Sequence, residues 1–428
     1  MTAIYDPSNP QYFDLKDLDK ELNRVFEICH GCRLCYNLCP SFPALFGFID
    51  QKDGLVQNLS QAETDEVIDK CYECKLCYVK CPYVPPHEWQ LDFPRLMLRA
   101  KTLKRKYKQT PFIQRMGDTL MAKTDLIGKA SLVAAPIVNK VVLKPGSVSR
   151  KIMQSVTGTA QNRLLPPYSK QRFSTWWLKR KGSQVKDSSY QVSLFTTCFV
   201  EYMNKDLGTS LVKVYEHNNI EITVPKGLRC CGAPSLHSGD VKGFLKVAKE
   251  NVLRLAIDVK MGKKVVVAQP TCGYVLKFDY PLYLKSEASE LVAKNTFDAA
   301  EFLVWLNKSQ ELKKDLSDLP QKVIYHLPCH LKAQNIGLKS KELLSLYGVD
   351  VQVVDKCSGI DGTWGYKKQN YDLSKKVIKP LKDFILTANS NDNKTICGDC
   401  HLANTAIYEE TSYKVVSPFE ILANAIKE

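Results

Sequence analysis

The chain has 428 residues, of which 44% are hydrophobic, and a formal net charge of +15 at pH 7. This length predicts two or three hydrophobic cores, and no segment approaches the roughly 18–20 consecutive apolar residues of a membrane-spanning helix. The positive charge predicts an acidic surface as a partner. Because 16 cysteines occur without a secretion signal, we expect a reducing cytoplasm, where thiols bind metal more often than they form disulfides.

Two segments of twelve residues carry four cysteines each and a final proline. They read CHGCRLCYNLCP at 29–40 and CYECKLCYVKCP at 71–82. The spacing C-x2-C-x2-C-x3-C-P is that of bacterial two-cluster ferredoxins, in which three cysteines bind one cluster and the fourth binds the other. A structural zinc site usually separates its thiol pairs by a longer loop, so this spacing disfavours zinc.

The two motifs predict two [4Fe–4S] clusters with crossed ligands. The first cluster is predicted to bind Cys29, Cys32, Cys35 and Cys81, and the second to bind Cys71, Cys74, Cys77 and Cys39. Apolar residues recur at helical spacing ahead of the first motif, namely Leu18, Leu22, Val25 and Phe26. Ser60 and Glu63 form a capping-box pattern ahead of the second. We therefore expect a helical dicluster ferredoxin domain over 15–100.

Segment 101–190 is predicted to be a basic linker. It contains LIGKASLVAAPIVNKVVL at 126–143, which is apolar but interrupted by charged residues and a proline. Such a segment could lie on an anionic membrane surface or a partner subunit, although a connecting segment packed across the other domains is the favoured interpretation. Trp176 and Trp177 lie among basic residues, but no nucleic-acid-binding module is recognisable. We therefore predict no nucleic-acid partner.

The C-terminal half contains an internal repeat. Segments 191–232 and 322–359 both run through strand, cysteine, helix, strand and cysteine, and each continues through a helix to another strand ending in cysteine. Alternating strands and helices predict two α/β units with parallel sheets, and ligands bind beyond the strand ends of such sheets. The cysteines there are Cys198, Cys230, Cys231 and Cys272 in the first unit, and Cys329, Cys357, Cys397 and Cys400 in the second.

These cysteines resemble those of the paired cysteine-rich (CCG) domains in the B subunit of heterodisulfide reductase. With the ferredoxin motifs ahead of them, nearly the whole chain is similar to the family of the C subunit of anaerobic glycerol-3-phosphate dehydrogenase and to glycolate oxidase iron–sulfur subunits. The closest likeness lies in RCCGAPSLHSGD, PTCGYVLKFDYP, YHLPCH and GTWGYKKQNY. The resemblance implies an α+β multidomain protein with CCG domains over 191–310 and 320–428.

Both CCG domains depart from the family pattern, in which each domain offers five cysteines. Val275 stands where Cys272 would have a partner, and Ser358 follows Cys357 in place of a second thiol. We expect further iron–sulfur or zinc in these four-cysteine sites. The first domain keeps two adjacent thiols and is predicted to carry redox chemistry or electron exit. The second is predicted to be a closed site with structural zinc or one conventional cluster.

Histidines and glycines near these cysteines have two possible roles each. The histidines are predicted to be bonded into turns rather than to bind metal or donate protons, and they are His326, His330 and His401. The glycines are predicted to allow close backbone approach rather than to bind phosphate, and they are Gly359, Gly362 and Gly365.

The resemblance implies an iron–sulfur electron-transfer subunit. A flavin-bearing dehydrogenase for glycerol-3-phosphate or a 2-hydroxy acid would pass electrons through this chain to membrane quinone. The alternatives are an oxidoreductase acting on a disulfide or a redox partner protein, as in heterodisulfide reductase, and a zinc-stabilised scaffold. No G-x-G-x-x-G follows a strand, so we expect no flavin or nicotinamide of its own. We expect a cytoplasmic protein, attached peripherally to the inner face of the cell membrane.

Overall fold

The N-terminal part of the chain is helical. The computed structural model describes residues 5–185, 188–309, 312–390 and 394–427. Its first helices are α1 (Leu15–Cys32), α2 (Ser41–Asp50), α3 (Gln61–Lys70), α4 (Leu76–Lys80) and α5 (Phe93–Lys106). Helix α1 begins after Asp14, whose carboxylate caps the first turn, and it buries the four apolar residues that predicted it. Helix α3 begins with the predicted capping box. The helical prediction for this region is therefore confirmed.

The segment predicted as a linker forms several short helices. They are α6 (Phe112–Ala122), α7 (Thr124–Val133), α8 (Ala135–Ile137), α9 (Val148–Thr157) and α10 (Phe173–Lys179). Helices α6 and α9 pack so closely at Gly117 that a Cβ atom there would overlap the backbone carbonyl of Thr157. Among the described residues, no helix combines the length and the apolar character needed to cross a membrane.

Two α/β units follow. The first contains β1 (Gln191–Phe195), α11 (Cys198–Tyr202), α12 (Lys205–His217), β2 (Glu221–Thr223), α13 (Ala233–His237), α14 (Val241–Lys260), β3 (Lys264–Val267), α15 (Pro270–Tyr274), α16 (Tyr280–Leu284), α17 (Glu287–Lys294), β4 (Thr296–Asp298) and α18 (Ala299–Leu306). The second contains β5 (Lys322–His326), α19 (Cys329–Ala333), α20 (Lys339–Leu346), β6 (Asp350–Val354), α21 (Tyr371–Ala388), β7 (Thr395–Gly398), α22 (His401–Thr411), β8 (Val415–Val416) and α23 (Pro418–Ala425).

Both units have the same sheet topology. The first sheet has the order β2-β1-β3-β4 and the second has the order β6-β5-β7-β8, with all neighbouring strands parallel. The predicted repeat is therefore two copies of one α/β unit, each with an additional strand, β4 or β8, that the sequence pattern had not indicated. This arrangement confirms the predicted α+β multidomain class.

One hydrophobic core joins the two units. It contains Val192 and Val266 from the first sheet together with Val323 and Tyr325 from the second. The last helix, α23, packs against α12 of the first unit. The loops that follow the central strands also meet, because the Gln334 side-chain amide donates to the carbonyl of Pro270 at 3.0 Å. The cysteine-bearing edges of the two sheets consequently lie close to each other.

Candidate iron–sulfur sites

The first ferredoxin group consists of Cys29, Cys32, Cys35 and Cys81, which line one cavity. Cys29 and Cys32 lie in the last turn of α1, whereas Cys81 follows α4. The remaining wall is largely apolar and includes Phe42, Phe46 and Leu91. Burial raises the pKa of the Cys29 thiol, and nearby thiols raise it further, namely those of Cys35, Cys81 and Cys32.

The second ferredoxin group consists of Cys39, Cys71, Cys74 and Cys77, which line a separate cavity against α5. Burial raises the pKa of the Cys77 thiol first, and neighbouring thiols raise it further, namely those of Cys74, Cys39, Cys71 and Cys35. Each motif thus contributes its last cysteine to the other group. The structure brings together the same two sets of four thiols that the crossed arrangement predicts.

A buried lysine and a half-buried lysine flank the second ferredoxin group. Lys75 and Lys101 place their ammonium groups 2.8 and 3.0 Å from the carboxylate of Glu73. The Lys101 ammonium also donates to the backbone carbonyl of Cys71 at 2.6 Å. Because net charge is one determinant of cluster reduction potential, this excess cation would favour a reduced, more negative cluster. These residues were not identified from the sequence, since their approach depends on the packing of α5 against the cysteine loop.

The first CCG site consists of the thiols of Cys198, Cys230, Cys231 and Cys272. Cys198 begins α11, the adjacent pair precedes α13, and Cys272 lies within α15. Hydrogen bonds donated by Cys198 and Cys231 hold the pKa of the Cys230 thiol well below its usual range. The structure therefore brings all four predicted thiols of this domain together.

Asp125, in α7, supports the first CCG site from outside its α/β unit. Its Oδ2 accepts a hydrogen bond from the backbone N–H of Cys230 at 3.2 Å and another from Arg229 Nε at 2.9 Å. The Tyr280 hydroxyl donates to the backbone carbonyl of Cys231 at 3.0 Å. The linker is thus part of this site, which the sequence alone did not indicate because α7 lies about a hundred residues earlier.

The second CCG site, as the structure forms it, consists of Cys329, Cys357, Cys400 and a carboxylate, that of Asp361. Burial raises the pKa of the Cys329 thiol well above its usual range, and nearby negative groups raise it further, namely Asp361, Cys74, Cys400 and Cys357. Asp361 was not identified from the sequence. Its only sequence signal is its place in a glycine-flanked loop close after Cys357.

Cys397, the fourth predicted thiol of this domain, is not part of the second CCG site. It lies on β7 opposite Tyr325, is fully buried and belongs to the core shared by the two sheets. Its neighbour Ile396 belongs to a different hydrophobic cluster, as expected for adjacent residues of a strand. The structure therefore does not bring Cys397 together with the other three thiols, because the pairing of β7 with β5 places its side chain in the shared core.

The second CCG site lies directly against the second ferredoxin group. The hydroxyl of Tyr72, which separates two cysteines of that group, is 3.3 Å from Cys357 Sγ and 3.3 Å from the carbonyl oxygen of Leu38. Tyr72, Cys74 and Trp364 form a buried cluster, and the Trp364 indole N–H donates to the backbone carbonyl of Asp69 at 2.8 Å. These buried side chains therefore contact both sites.

The predicted histidines are hydrogen-bonded, and His401 contacts the first CCG domain. His401 stacks on Phe199 with ring centroids 4.0 Å apart and places Nδ1 2.6 Å from Gln269 Oε1. Burial lowers its pKa to about 3, so its ring is neutral at physiological pH. His326 contacts the backbone carbonyl of Lys356 at 3.0 Å, and burial lowers its pKa to about 4.

Two family models match the chain. The Citrate utilization protein B Fer4-like domain matches residues 22–108, and the CCG cysteine-rich domain matches residues 192–277 and 323–403. The C subunit of the anaerobic glycerol-3-phosphate dehydrogenase of Escherichia coli (strain K12) is 32% identical over 314 residues, covering 72% of this chain and 76% of that protein. The chain belongs to the family of this dehydrogenase component.

More distant relatives share parts of this arrangement. The B subunit of the fumarate reductase (CoM/CoB) of Methanothermobacter marburgensis is 28% identical over 50% of this chain and 41% of its own length. The lactate utilization protein A of Oceanobacillus iheyensis is 29% identical over 44% of this chain and 78% of its own length. Family membership confirms the resemblance inferred from the cysteine motifs and identifies the chain as an iron–sulfur protein with an electron-transfer role.

The spacing of the donor atoms in the two ferredoxin groups fits clusters better than single ions. A tetrahedral zinc ion with Zn–S bonds of about 2.3 Å needs donors within about 4 Å of one another. Among the described residues, the group of three or more possible ligands whose donor atoms all lie within 4.8 Å is Cys329, His330 and Asp361. Neither ferredoxin group is that compact. Thiolates are also the ligands that iron–sulfur clusters use, so the donor sets fit the cofactor that the family implies.

Proposed function

We propose that the two ferredoxin groups each bind one [4Fe–4S] cluster. Cys29, Cys32, Cys35 and Cys81 hold the first, and Cys71, Cys74, Cys77 and Cys39 hold the second. The support is the exchange of Cys39 and Cys81 between the motifs, which gives each cavity four thiols. Each cluster supplies one-electron storage, while the surrounding residues fix its potential through charge, hydrogen bonds and burial.

In our proposal the chain is an electron-transfer subunit, and these two clusters carry its electrons. The observation that carries this function is the contact of Tyr72 and Cys74 with the second CCG site, which makes a continuous series of thiol groups through the protein interior. Electrons enter at the first ferredoxin group, where Cys32 is exposed to solvent beside Leu34 and Tyr36. They then pass through the second ferredoxin group to the second CCG site.

This order differs from the one that the cysteine pattern favoured. The pattern indicated the first CCG domain as the place of redox chemistry and the second as a closed structural site. The second CCG site, however, has the direct contacts with a ferredoxin group. We therefore propose that it carries electrons, and that the first CCG site, which meets it across His401 and Gln269, is the more distal centre.

The electron donor in this proposal is a flavin-bearing dehydrogenase, and the acceptor is membrane quinone. The name of the Escherichia coli relative indicates a multi-subunit dehydrogenase of glycerol-3-phosphate, and the lactate utilization relatives extend the possible donors to enzymes of a 2-hydroxy acid. An exposed apolar surface supports peripheral attachment to the inner face of the cell membrane. It is formed by Phe112, Ile113, Met116 and Leu120 of α6 and by Val148, Ile152 and Val156 of α9.

A disulfide-directed oxidoreductase is the second candidate. The adjacent thiols of Cys230 and Cys231 support this candidate, because a pair of thiols is the group that thiol–disulfide exchange uses. In that case two electrons from the clusters would reduce a disulfide to two thiols with uptake of two protons. Quinone and disulfide acceptors are therefore the two arms of the functional test.

The test uses the full chain purified anaerobically. We expect iron and sulfide for at least two cubanes, and Cys81→Ser should diminish the reduced-state EPR signal of the first cluster while keeping that of the second. The reduced protein should be oxidised by a menaquinone analogue in anionic vesicles faster than by a small disulfide. Oxidation by the disulfide alone would establish the second candidate, and an iron-free chain would exclude both.

A further inference from the structure

Asp361 lies inside the protein at the end of the loop that follows β6. Its side chain is only 3% exposed. Gly359 and Gly362, with φ values of 65° and 47°, shape this loop, and a side chain at Gly359 would overlap the backbone of Ser374. The loop therefore packs tightly against α21 and holds Asp361 in one place. Its Oδ2 is 3.5 Å from Cys329 Sγ, and its Oδ1 is 3.6 Å from His330 Nδ1.

This carboxylate is in contact with both a thiol and an imidazole, those of Cys329 and His330. Burial raises the pKa values of four nearby thiols and this carboxylate raises them further, namely those of Cys74, Cys329, Cys357 and Cys400. A buried carboxylate costs free energy unless a positive charge or hydrogen-bond donors accompany it. Lys75 is the ammonium group near it, but that group is engaged with Glu73 at 2.8 Å. The direct partners of the carboxylate are the Cys329 thiol and the His330 imidazole, and neither carries a fixed positive charge. A metal centre between the thiols would supply one.

The second CCG domain also lacks a fourth thiol at this place. Ser358 occupies the position of the absent cysteine, and its hydroxyl faces the carbonyl oxygen of Ile360, in its own loop, at 3.5 Å. Cys397 lies on β7, and its side chain belongs to the hydrophobic core that the two sheets share. Three thiols therefore remain, those of Cys329, Cys357 and Cys400. A carboxylate oxygen is a competent ligand for both iron and zinc.

We propose that Asp361 is the fourth protein ligand of a metal centre in the second CCG domain, together with Cys329, Cys357 and Cys400, and that Cys397 is not a ligand. This inference rests on the proposed function in one respect, namely that the second CCG site holds a redox centre. His330 then acts as a positioning residue, because its Nδ1 lies 3.6 Å from the carboxylate and 3.2 Å from the hydroxyl of Thr271.

Such a centre differs from an all-cysteine cluster in a measurable way. One metal ion of the centre is bound by a carboxylate oxygen of Asp361 rather than by a thiolate sulfur. Replacement of that position by a thiolate should change the spectrum of the centre without emptying it. Replacement by a group that cannot bind as an anion should weaken metal retention.

The experiment compares variants of the full chain, each purified anaerobically and reconstituted with iron and sulfide. Metal content is measured for iron and zinc separately, and X-ray absorption reports oxygen and sulfur around the metal. Cys329→Ala defines the loss expected when this centre is absent. We expect Asp361→Asn to lose the same amount of metal as Cys329→Ala, and Asp361→Cys to retain the metal with an altered reduced-state EPR signal.

Two matched controls separate ligation from folding. Asp399→Asn removes another buried carboxylate, which lies one residue from Cys400. The carboxylate of Asp399 accepts hydrogen bonds from the hydroxyls of Tyr325 and Ser340. Cys397→Ala removes the thiol of the core. Both should keep the full metal content, although Cys397→Ala should melt at a lower temperature.

The outcomes distinguish the two levels of the proposal. Metal loss in Cys329→Ala with full metal content and an unchanged spectrum in Asp361→Asn would overturn the role of Asp361 alone. Unchanged metal content in Cys329→Ala would overturn the redox centre in this domain and with it the proposed electron route. Metal loss in Cys397→Ala would reinstate the all-cysteine site.

Discussion

The two CCG domains have one sheet topology but surround their cysteines differently. In the first, four thiols contact one another, and a carboxylate from the linker, Asp125, binds the backbone of their loop. In the second, three thiols share their site with the carboxylate of Asp361 itself, beside a ferredoxin group. The repeat of strands and helices thus determines where each site lies. The loops after the strands determine its chemistry and its neighbours.

This difference indicates a division of roles between the domains. The second CCG site is packed against Tyr72 and Cys74, so it can exchange electrons with the second ferredoxin cluster. The first CCG site instead faces the second domain, through the contact between Gln269 and His401. Leu98 of α5 shares a hydrophobic cluster with its cysteine pair. In the proposed order, however, its electrons arrive through the second domain.

The largest effect should come from breaking this order. Cys357→Ala removes a thiol between the ferredoxin clusters and the remaining centres, so quinone-linked turnover should fall to background while both cubanes are still reduced by dithionite. Cys231→Ala should also impair turnover, but it should leave the second CCG site reducible. Freeze-quench EPR after mixing with a reductant gives the order of reduction. Normal quinone-linked turnover in Cys357→Ala would show that the second domain is not on the route.

A large effect on stability is expected at two equivalent glycines. Gly232 follows Cys230 and Cys231 in the first domain, and Gly359 follows Cys357 and Ser358 in the second. Gly359→Ala places Cβ against a backbone carbonyl at positive φ, whereas Gly232→Ala at φ 91° meets the side chains of Phe244 and Val247. The left-handed backbone costs roughly 1–2 kcal/mol in both, and overpacking adds typically about 1–3 kcal/mol. Because side chains can move and a helix backbone cannot, we expect the larger loss at Gly359.

Anaerobic urea unfolding of both glycine variants measures this difference. The free energy of unfolding should fall by about 3 kcal/mol or more for Gly359→Ala and by a smaller amount for Gly232→Ala. An equal loss in both would mean that the loop of the second domain is no more constrained than that of the first.

Much of this architecture could be predicted from the sequence because its signals are local. The spacing of Leu18, Leu22 and Val25 predicts α1, and the tandem cysteine spacing predicts which thiols share a cavity. The alternation of apolar strands with helices predicts both sheets. The additional strands β4 and β8 are only three and two residues long and carry too little pattern to be recognised.

The parts that could not be predicted depend on tertiary packing. Cys397 has the spacing of a metal ligand to Cys400, but the pairing of β7 with β5 turns its side chain into the shared core. Asp361 reaches Cys329 only because its loop packs against α21. Asp125 and Tyr72 contact cysteine loops that are distant in sequence, and no periodicity of their own segments indicates these contacts.

A moderate effect is expected at Asp125, beside the first CCG site. Asp125→Asn replaces a carboxylate that accepts hydrogen bonds from Arg229 and the Cys230 backbone, so it should cost about 1.5–3 kcal/mol of stability. Glu250→Gln is the matched control, because Glu250 contacts the same arginine at 3.2 Å on the surface. That pair should contribute less than about 1 kcal/mol. Equal losses in thermal melting would show that Asp125 acts only as a surface charge.

The smallest effect should distinguish the two CCG sites by their tyrosines. The Tyr72 hydroxyl lies 3.3 Å from Cys357 Sγ, whereas the Tyr280 hydroxyl donates to a backbone carbonyl in the first domain rather than to sulfur. A hydrogen bond to a thiolate ligand stabilises the more negative, reduced centre and raises its reduction potential. Tyr72→Phe should therefore lower the potential of the second CCG centre.

A hydrogen bond with a net value of about 0.5–1.5 kcal/mol corresponds to roughly 20–60 mV for one electron, which is within reach of an EPR-monitored redox titration. Leu38 competes for the same hydroxyl, so the shift should lie in the lower half of that range. Tyr280→Phe should lower stability, because Tyr280 is fully buried and also accepts a hydrogen bond from Asn251 at 3.0 Å, but it should leave the potentials unchanged. If Tyr72→Phe also leaves the potential of the second centre unchanged, then Cys357, whose sulfur Tyr72 contacts, is not a ligand of that centre.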